Sequence, residues 1–289
     1  MKICAACGVK FDSVSWECPS CSSAPELIEG HLAFSPELAQ TSDGFDPSYF
    51  PQLMALEERN FWFRSRNRLI IWALQKYFSD AKTFFEIGCG TGFVLSGIEQ
   101  EVSHLSLFGS EIYSSGLCFA AQRLKSADLF QVDARRIPFE DEFDVVGAFD
   151  VLEHIAEDEL VLAQMYQVVR QNGGILITVP QHAFLWSQTD EAACHVRRYS
   201  VSDLRTKVEQ AGFEVLKTTS FVSLLLPLMM ISRLGKRKPG KECDALAELR
   251  ISGFANTAME KVLDLERSLI KAGIRLPFGG SLLLVARKV

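Results

Sequence analysis

A short apolar segment that runs into three closely spaced glycines constrains this chain more than any other stretch of its sequence. Residues 84–87 suit a buried parallel strand, and Gly88, Gly90 and Gly92 follow at alternate positions. Because glycine has no Cβ, such a loop turns sharply and brings its N–H groups close to a ligand at the start of a helix. The stretch therefore predicts a strand, a ligand-binding loop and a helix that begins near residue 93.

The spacing of the glycines distinguishes between nucleotide ligands. A dinucleotide fingerprint is G-x-G-x-x-G, whereas here the third glycine comes one residue earlier and Glu86 precedes the first glycine by two positions. The pattern acidic-x-G-x-G-x-G resembles the first motif of the class I methyltransferases that use S-adenosylmethionine, over most of residues 53–289. The resemblance implies an α/β fold, a Rossmann-like doubly wound seven-stranded sheet with an antiparallel last strand. A glycine-rich turn in another doubly wound fold is the alternative.

The composition is that of an ordinary globular protein. The chain has 289 residues, of which 48% are hydrophobic and 23% charged, enough for one α/β domain with a small appendage. The formal net charge of −6 gives no general attraction to nucleic acid. The N-terminus lacks the apolar run of a secretory signal, so we expect a cytoplasmic protein whose eight cysteines are reduced.

Two C-x-x-C pairs lie near the N-terminus. Each pair can present two thiolates to one ion, and together they complete the tetrahedral sulfur shell that Zn²⁺ prefers. So short a segment cannot bury enough apolar surface to fold alone, so the metal would supply most of its folding free energy. The pattern predicts a structural zinc ribbon over residues 1–24, with iron or a redox dithiol as alternatives. The predicted ligands are Cys4, Cys7, Cys18 and Cys21.

A ribbon could also indicate nucleic-acid binding. Within the first 24 residues, however, the basic side chains are Lys2 and Lys10 alone. Because a nucleic-acid surface needs clustered positive charge, we do not expect a nucleic-acid partner.

The segment between the ribbon and the glycine loop is less regular. Residues 25–48 are rich in Ser, Pro, Gly and acidic side chains and are predicted to be a linker, with one short strand at 27–34. Residues 49–289 then form the predicted methyltransferase domain. Residues 57–64 are dense in aromatic and arginine side chains, and either cover the sheet edge or roof the ligand cleft. Trp62 and Arg64 are the predicted substrate contacts from this segment.

Acidic residues follow three further predicted strands. Glu111 ends the second strand, where a carboxylate can accept hydrogen bonds from both ribose hydroxyls. Asp133 ends the third, where the family resemblance implies a contact to the adenine amino group. Asp150 ends the fourth, and the phrases FDVV and VLEHI around it are similar to those of the small-molecule branch of the family. The predicted cofactor-binding residues are Glu86, Gly88, Cys89, Gly90, Gly92, Glu111, Ile112, Asp133, Ala134, Asp150 and Val151.

The loop after the predicted fifth strand carries the phrase D-x4-H-x-R-R-Y. This phrase resembles a subset of the family found in bacterial surface-glycan and lipid-linked sugar pathways, and in class I methyltransferases the loop lies beside the transferable methyl. Methyl transfer is an in-line displacement at carbon, for which the protein aligns the acceptor and removes one proton. His195 is the first candidate base and His154 the second, unless His195 only orients the loop. Tyr199 completes the predicted catalytic set, and His182, Arg197 and Arg198 are further predicted substrate contacts.

Two features leave alternatives open. Arg197 and Arg198 either hold an anionic group of the acceptor or pair with nearby acidic residues. Asp150, Glu153 and His154 resemble a cluster that binds a divalent ion in some catechol-type quinone-pathway and small-RNA 2′-O-methyltransferases, where the ion lowers the pKa of the accepting hydroxyl. The other possibility is that Glu153 and His154 merely begin a helix.

A long insertion, at about residues 221–278, separates the predicted sixth and seventh strands. It opens on an apolar run of about ten residues, too short to span a bilayer, which needs about 20. Basic residues follow as far as residue 241. The arrangement predicts capture of a lipid-linked acceptor or peripheral contact with the inner face of the membrane through residues 221–241. A hydrophobic lid or a dimer contact is the alternative.

The sequence as a whole predicts a methyltransferase that uses S-adenosylmethionine and contains structural Zn²⁺. The expected reaction is O-methylation of a sugar, a lipid-linked glycan or another small molecule. One alternative is metal-assisted O-methylation of a quinone-like or aromatic acceptor. The other is a non-catalytic scaffold that binds the cofactor and recruits a partner.

Overall fold

Alternation of buried strands and amphipathic helices begins at residue 83 and builds the main body of the protein. The structure, a computed structural model, describes residues 1–40, 45–234, 246 and 250–289. Its strands are β1 (Lys2–Ile3), β2 (Lys10–Phe11), β3 (Glu26–Ile28), β4 (His31–Ala33), β5 (Thr83–Ile87), β6 (Ser106–Glu111), β7 (Asp128–Gln131), β8 (Phe143–Phe149), β9 (Val169–Pro180), β10 (Phe213–Phe221) and β11 (Ser281–Lys288). Its α-helices are α1 (Phe50–Glu57), α2 (Phe61–Tyr77), α3 (Phe93–Glu101), α4 (Ser114–Arg123), α5 (Asp158–Val168), α6 (Gln188–Ala192), α7 (Val201–Gln210), α8 (Leu226–Leu234) and α9 (Gly253–Lys271). Short 3₁₀ helices lie at Pro36–Leu38, Pro47–Tyr49, Leu152–His154 and Ala183–Leu185.

The main sheet has the order β10-β11-β9-β8-β5-β6-β7-β4-β3. Strands β7, β6, β5, β8 and β9 are parallel neighbours, whereas β11 pairs antiparallel with both β9 and β10. The predicted fold, a doubly wound sheet with an antiparallel last strand, is confirmed. The chain leaves β5 toward β6 on one side and later returns to β8 on its other side. In open α/β sheets, ligands bind at the carboxyl ends of the strands at such a switch point.

Both faces of the sheet are buried, because neighbouring strand residues point to opposite sides. Phe85 packs into one core cluster with Val161 of α5 and Leu204 of α7. Phe84 packs into the other with Leu74 of α2 and with residues of α3, α4 and α9. A strand buried on both faces reads as a continuous apolar run, which is why β5 was visible in the sequence.

The predicted linker contributes to the sheet. Residues 25–48 contain not one short strand but the hairpin β3–β4, and β4 pairs in parallel with β7. Glu29 and Gly30 both have positive φ, of 51° and 86°, which the two-residue turn of a tight hairpin requires. The side chain of Gln131 donates to the carbonyl of Ser35 at 2.9 Å and fixes the hairpin to the edge. The sheet therefore has two strands beyond the predicted seven.

The insertion between β10 and β11 covers the open end of the sheet. Helix α9 begins at Gly253, where the side chain of Ser252 caps it. Asn256, in its first turn, accepts a hydrogen bond from the N–H of Phe61 at 2.7 Å and so ties α9 to the start of α2. In the described residues no helix combines the length and the apolar character needed to cross a membrane. The predicted basic run from residue 236 to 241 lies outside the described residues.

Candidate functional site

A cavity of about 1040 Å³ lies beyond the carboxyl ends of β5, β6, β7 and β8. The glycine loop and the strand ends form one wall. Helices α1, α2, α8 and α9 form the opposite wall, where the lining side chains are mostly apolar and aromatic. Among these are Phe50, Phe61, Trp62, Phe63, Val222, Leu225, Met229 and Met259.

The glycine loop has the backbone shape that its spacing predicts. Gly88, Gly90 and Gly92 have φ values of 67°, 52° and 74°, a region that other residues rarely adopt. A Cβ on Gly88 would lie 2.6 Å from the side chain of Val151, so the loop tolerates no larger residue there. Gly92 does not line the cavity and instead begins α3, where a Cβ would meet Ala120 of α4 at 3.1 Å. Its predicted contact with the cofactor is therefore indirect.

Glu111, at the end of β6, is held by backbone N–H groups. Its oxygens accept hydrogen bonds from the N–H groups of Gly90 at 3.0 Å, Ile112 at 2.9 Å and Tyr113 at 3.3 Å. Burial raises the pKa of this carboxyl, and the three N–H donors oppose that effect. Since the side chain bridges β6 to the glycine loop, it sets the position of both.

Asp133 and Ala134 lie on the cavity wall just after β7, as the sequence predicts. The carboxylate of Asp133 is held by the guanidinium of Arg135 through Nε at 3.0 Å and Nη2 at 2.8 Å. Its Oδ1 also accepts from the N–H of Arg135 at 2.9 Å. Hydrogen bonds within the turn thus fix the carboxylate of Asp133.

Asp150 pairs with Arg66, a residue that the sequence reasoning missed. The Arg66 guanidinium is buried, donates to Asp150, and lies 4.5 Å from the ring of Trp62. Arg64, the predicted substrate contact, does not line the cavity, and its Nη2 lies 3.2 Å from Glu260 Oε1. Two positions along a helix rotate a side chain to nearly the opposite face, so only the packing of α2 could select between the two arginines.

Glu86, at the carboxyl end of β5, is 2% exposed, and its Oε2 has no hydrogen-bond partner among the described residues. Burial raises the pKa of this carboxyl well above its usual value, and the nearby Arg66 opposes that effect. A buried polar atom without a partner costs free energy unless a ligand pairs with it. Glu86 and Arg66 together present a carboxyl group and a guanidinium to the same end of the cavity.

The acceptor side of the cavity brings together Glu153, His154 and His195. One ligand atom from each of these side chains lies within 4.8 Å of the other two. Both oxygens of Glu153 and Nδ1 of His154 lack partners among the described residues. Burial raises the pKa of Glu153 well above its usual value and lowers that of His154 to about 3. The predicted cluster included Asp150, but its pairing with Arg66 leaves His195 as the third member.

His195 is oriented by Asp190. The His195 Nδ1 lies 2.9 Å from Asp190 Oδ1, and Arg198 Nε donates to the same oxygen at 2.7 Å. Asp190 also accepts from the N–H of Ser187, which caps α6. Burial raises the pKa of Asp190, but His195 and Arg198 outweigh it and hold the pKa well below its usual range. With Nδ1 engaged, Nε2 is the His195 nitrogen that can accept a proton.

Three predicted residues of the same loop lie elsewhere. Tyr199 is fully buried, and its hydroxyl donates to Asp158 at 2.7 Å. Arg197 pairs with the same carboxylate at 2.6 Å, and neither residue lines the cavity. Residues 195, 196 and 198 line it instead. His182 also lies off the cavity, stacked on Phe184 and Phe278.

The four N-terminal cysteines converge as their spacing predicts. Cys4 and Cys21 Sγ atoms are 3.7 Å apart, those of Cys7 and Cys18 are 3.6 Å apart, and all four lie within 4.8 Å of one another. This arrangement fits the tetrahedral thiolate shell of a structural zinc site.

A glycine loop at the switch point of a mostly parallel sheet, ringed by four strand-end carboxylates, is suited to an adenosyl ligand. The class that this fold and cavity define is the S-adenosylmethionine-dependent methyltransferases of Rossmann-like fold. The chain belongs to the family described as "Methyltransferase domain", whose model matches residues 54–218.

Named relatives agree with this class. The chain is 24% identical over 163 residues to a Mycolicibacterium smegmatis protein named as a probable S-adenosylmethionine-dependent methyltransferase, covering 55% of this chain and 62% of the relative. It is 27% identical over 172 residues to the phthiotriol/phenolphthiotriol dimycocerosates methyltransferase 1 of Mycobacterium ulcerans, covering 58% and 63%. The chain thus spans about three fifths of the length of these relatives.

A solved structure shows the same fold. The complex between the Haloferax volcanii Trm112 methyltransferase activator and a methyltransferase contains a chain that matches with a TM-score of 0.55 and 15% identity. The match covers 83% of this chain and 97% of that one. At this identity the likeness concerns the fold alone.

Proposed function

We propose that this methyltransferase O-methylates a lipid or lipid-linked acceptor, such as a lipid-linked glycan, on a hydroxyl group. The observation that carries the proposal is the division of the cavity. Its strand side is polar and charged, its α8–α9 side is apolar, and the Asp190–His195 pair lies on the acceptor side. A hydroxyl on an apolar body fits both walls at once.

The cofactor end of the cavity would hold S-adenosylmethionine through the strand-end carboxylates. Glu111 would meet the ribose hydroxyls and Asp133 the adenine amino group, while Arg66 and Glu86 would receive the charged amino-acid end. When bound, the cofactor supplies an already activated methyl group. The acceptor hydroxyl must then lose one proton, which His195 Nε2 is placed to take.

Asp190 supports His195 in this role. A carboxylate at Nδ1 fixes the imidazole tautomer and stabilises the imidazolium that forms after proton transfer. His154, the second candidate base, has its ring centroid 4.8 Å from that of His195. Burial lowers the pKa of His154 to about 3, so protonation of this imidazole is strongly disfavoured.

The two faces of α8 support an apolar acceptor. Leu225, just before the helix, and Met229 line the cavity, whereas Met230 and Ile231 are 42% and 67% exposed. A surface with apolar side chains on both faces suits shallow contact with a membrane, from which an acceptor could enter the cavity. We propose peripheral contact with the inner face of the membrane on this basis. The name of the M. ulcerans relative, a methyltransferase of a lipid, is consistent with such an acceptor.

An acceptor screen tests the proposal. The purified protein is incubated with S-adenosylmethionine and either hydroxylated lipids and lipid-linked glycans in detergent micelles or water-soluble sugars. Formation of S-adenosylhomocysteine is then measured by mass spectrometry. We expect the amphiphilic acceptors to be methylated, and the new methyl group to be attached to oxygen. Turnover of the water-soluble sugars alone would refute the lipid assignment.

Metal-assisted transfer to a quinone-like or aromatic hydroxyl is the second candidate. The unpartnered carboxylate of Glu153, beside His154 and His195, favours it, since one carboxylate and two imidazoles suit a divalent ion. The test is turnover of the best acceptor in chelator, with Mg²⁺ or Mn²⁺ added back. Loss and recovery of turnover with unchanged cofactor binding would favour this candidate, and turnover in chelator would exclude it. The non-catalytic scaffold is less favoured. Its acceptor cleft should be closed by side chains, whereas the cavity of this protein has a volume of about 1040 Å³.

We also propose that Cys4, Cys7, Cys18 and Cys21 hold one structural Zn²⁺. The converging Sγ atoms support this proposal, because four thiolates leave no open coordination position. Metal analysis of the purified protein should give one zinc per chain. Replacement of Cys18 and Cys21 by serine should abolish it, whereas zinc retained by that variant would place the ion elsewhere.

A further inference from the structure

The N-terminal ribbon is hydrogen-bonded to one particular segment of the methyltransferase domain. That segment, residues 133–140, connects β7 toward β8 and is called the cofactor loop below. The Ile3 N–H donates to the Pro138 carbonyl at 2.9 Å, and the Glu140 N–H donates to the Met1 carbonyl, also at 2.9 Å. With the antiparallel bridge between Lys2 and Phe139, strand β1 forms a short sheet with the end of the loop.

Side chains reinforce this junction. Arg136, in the middle of the cofactor loop, donates to the carbonyl of Ala5, next to the first cysteine. Lys10 pairs with Glu140 at 2.6 Å. The ring of Trp16, between the two cysteine pairs, lies 5.4 Å from that of Phe139. The ribbon therefore contacts the loop through its backbone, its charges and its aromatic side chain.

The other end of the cofactor loop belongs to the cavity. Asp133, Ala134 and Arg135 line it, and the Arg136 N–H donates to the Asp133 carbonyl at 2.9 Å. The turn that faces the cavity and the stretch that binds the ribbon are thus consecutive parts of one short segment. Arg136 belongs to both, through its N–H and its guanidinium.

We infer that the ribbon positions the cofactor loop, so that metal loading at the four cysteines and cofactor affinity at the cavity are coupled. The inference rests on the proposed zinc site and on the proposed contact of Asp133 with the cofactor. Its physical basis is that the buried cluster of the ribbon is limited to Cys4, Phe11 and Cys18, so the module should order only around its metal. Once the ribbon disorders, Pro138 and Glu140 lose their backbone partners and the loop gains conformations that do not bind.

Coupling of this kind is reciprocal, and typical values change affinity by about 5-fold to 150-fold. The cofactor should therefore also strengthen metal retention by the ribbon. Because the coupling acts through the loop, it should leave the glycine loop and Glu111 in place. The effect belongs to the adenine end of the cavity and not to the acceptor end.

Three variants and a control test the inference. The double variant Cys18→Ser with Cys21→Ser removes the metal site. Arg136→Ala leaves all four cysteines and removes the guanidinium contact to Ala5. Trp16→Ala also leaves the cysteines, but it removes packing within the ribbon and against Phe34 as well as the contact with Phe139. Val14→Ala changes a fully exposed ribbon residue and serves as the control. For each protein, zinc content, the Kd for S-adenosylhomocysteine and hydrogen exchange of residues 133–140 and of β8 are measured.

We expect the double variant to bind S-adenosylhomocysteine at least fivefold more weakly, with faster exchange in residues 133–140 and unchanged exchange in β8. Arg136→Ala should retain zinc and lose affinity by a smaller factor, and Val14→Ala should match the wild type. Unchanged affinity and unchanged loop exchange in both the double variant and Arg136→Ala would overturn the inference.

The measurements distinguish a failure of the coupling from a failure of the two proposals on which it rests, the zinc site and the cofactor site. If the wild-type protein holds no zinc, the metal assignment fails, and Arg136→Ala and Trp16→Ala still decide whether the junction controls the loop. If the wild-type protein does not bind S-adenosylhomocysteine, the proposed cofactor site fails. If the double variant does not fold, the comparison of Arg136→Ala with Val14→Ala decides the matter.

Discussion

The cofactor half and the acceptor half of the cavity satisfy their buried charges differently. In the cofactor half, Glu111 accepts three backbone N–H groups, Asp133 is held by Arg135, and Asp150 is paired with Arg66. In the acceptor half, the carboxylate of Glu153 and the Nδ1 of His154 are buried without partners among the described residues. The cofactor half is thus the more fully bonded of the two, although Glu86 Oε2 lacks a partner there and Asp190 in the acceptor half accepts from His195 and Arg198.

The difference shows where each half obtains its stability. Carboxylates that hold backbone N–H groups support the fold even without a ligand, so the cofactor wall is preorganised. Unpartnered buried groups cost free energy until a ligand or an ion pairs with them. We therefore expect substitutions in the two halves to separate cleanly, with effects on cofactor affinity in one and on turnover in the other.

The largest expected effect belongs to the acceptor half. His195→Ala should lower kcat by about 10²-fold to 10⁴-fold, the usual contribution of a general base. The Kd for S-adenosylhomocysteine should stay close to that of the wild type. His182→Ala is the matched control, since this histidine precedes the same loop and does not line the cavity. An equal loss of kcat in both variants would contradict a specific role for His195.

The second-largest effect is expected on the free energy of unfolding, from the contacts that Asp158 makes with the segment after His195. Asp158 accepts from Tyr199 at 2.7 Å and pairs with Lys207 at 2.6 Å, so Asp158→Asn should lower the free energy of unfolding by about 3–5 kcal/mol at pH 7. Burial raises the pKa of Asp158, but Lys207, Tyr199 and Arg197 outweigh it, and the folded-state pKa lies below 3.8.

The difference in the free energy of unfolding between the wild type and Asp158→Asn should depend on pH with a definite sign. A carboxylate whose pKa is lowered by folding contributes stability above its unfolded pKa and loses it as the pH falls below about 3.8. Denaturant unfolding should thus show the full gap between wild type and Asp158→Asn at pH 5–8 and a shrinking gap toward pH 3. The exposed Glu159, on the same helical turn, gives Glu159→Gln as the control. A gap that does not change with pH would contradict this account.

In the cofactor half, Glu111→Gln should weaken binding of S-adenosylhomocysteine by about tenfold to hundredfold. Hydrogen bonds to a charged acceptor are worth about 1.5–3 kcal/mol each, and the neutral amide offers a weaker acceptor. Calorimetric titration measures the change. Glu99→Gln is the control, because Glu99 also accepts backbone N–H groups, those of Lys125 and Ser126, but does not line the cavity. Equal weakening by both variants would remove the case for a direct role of Glu111.

The smallest effect is expected from Glu153→Gln in the presence of a chelator. In the wild type the carboxyl of Glu153 has no partner among the described residues, so the substitution breaks no hydrogen bond of this group. The free energy of unfolding should therefore fall by about 1 kcal/mol at most, or increase. Chemical denaturation in parallel with Glu111→Gln gives the comparison. A loss as large as that of Asp158→Asn would show that Glu153 is bonded within the fold after all.

Local patterns in the sequence predict much of the fold and part of the candidate site. The glycine spacing, the buried strands and the acidic residues at strand ends are each fixed by a few neighbouring residues, and the fold that they predicted is confirmed. The spacing of the paired cysteines likewise predicts by itself that their four sulfur atoms come together. The placement of these groups at one edge follows from the topology of a parallel sheet, which the alternation of strands and helices already implies.

Other features depended on which face an element turns inward. Arg66 and Arg64 share one helix, and Arg198 and Arg197 share one extended segment, but in each pair only the first lines the cavity. Tyr199, predicted as part of the catalytic set, is buried and does not line the cavity, although the neighbouring Arg198 does. The hairpin β3–β4 was mostly read as linker because its strands are short and gain their stability from pairing with β7.

The sequence by itself therefore determined the class of fold, the ligand-binding loop and the identity of the strand-end carboxylates, because these depend on short-range backbone geometry and on period. Only the tertiary structure decided that Arg66 meets Asp150, that Asp190 orients His195 and that the ribbon binds residues 133–140. The first and third contacts join segments far apart in the chain, whereas the second joins two residues of one loop. In all three the partners are selected by packing, which no local pattern encodes.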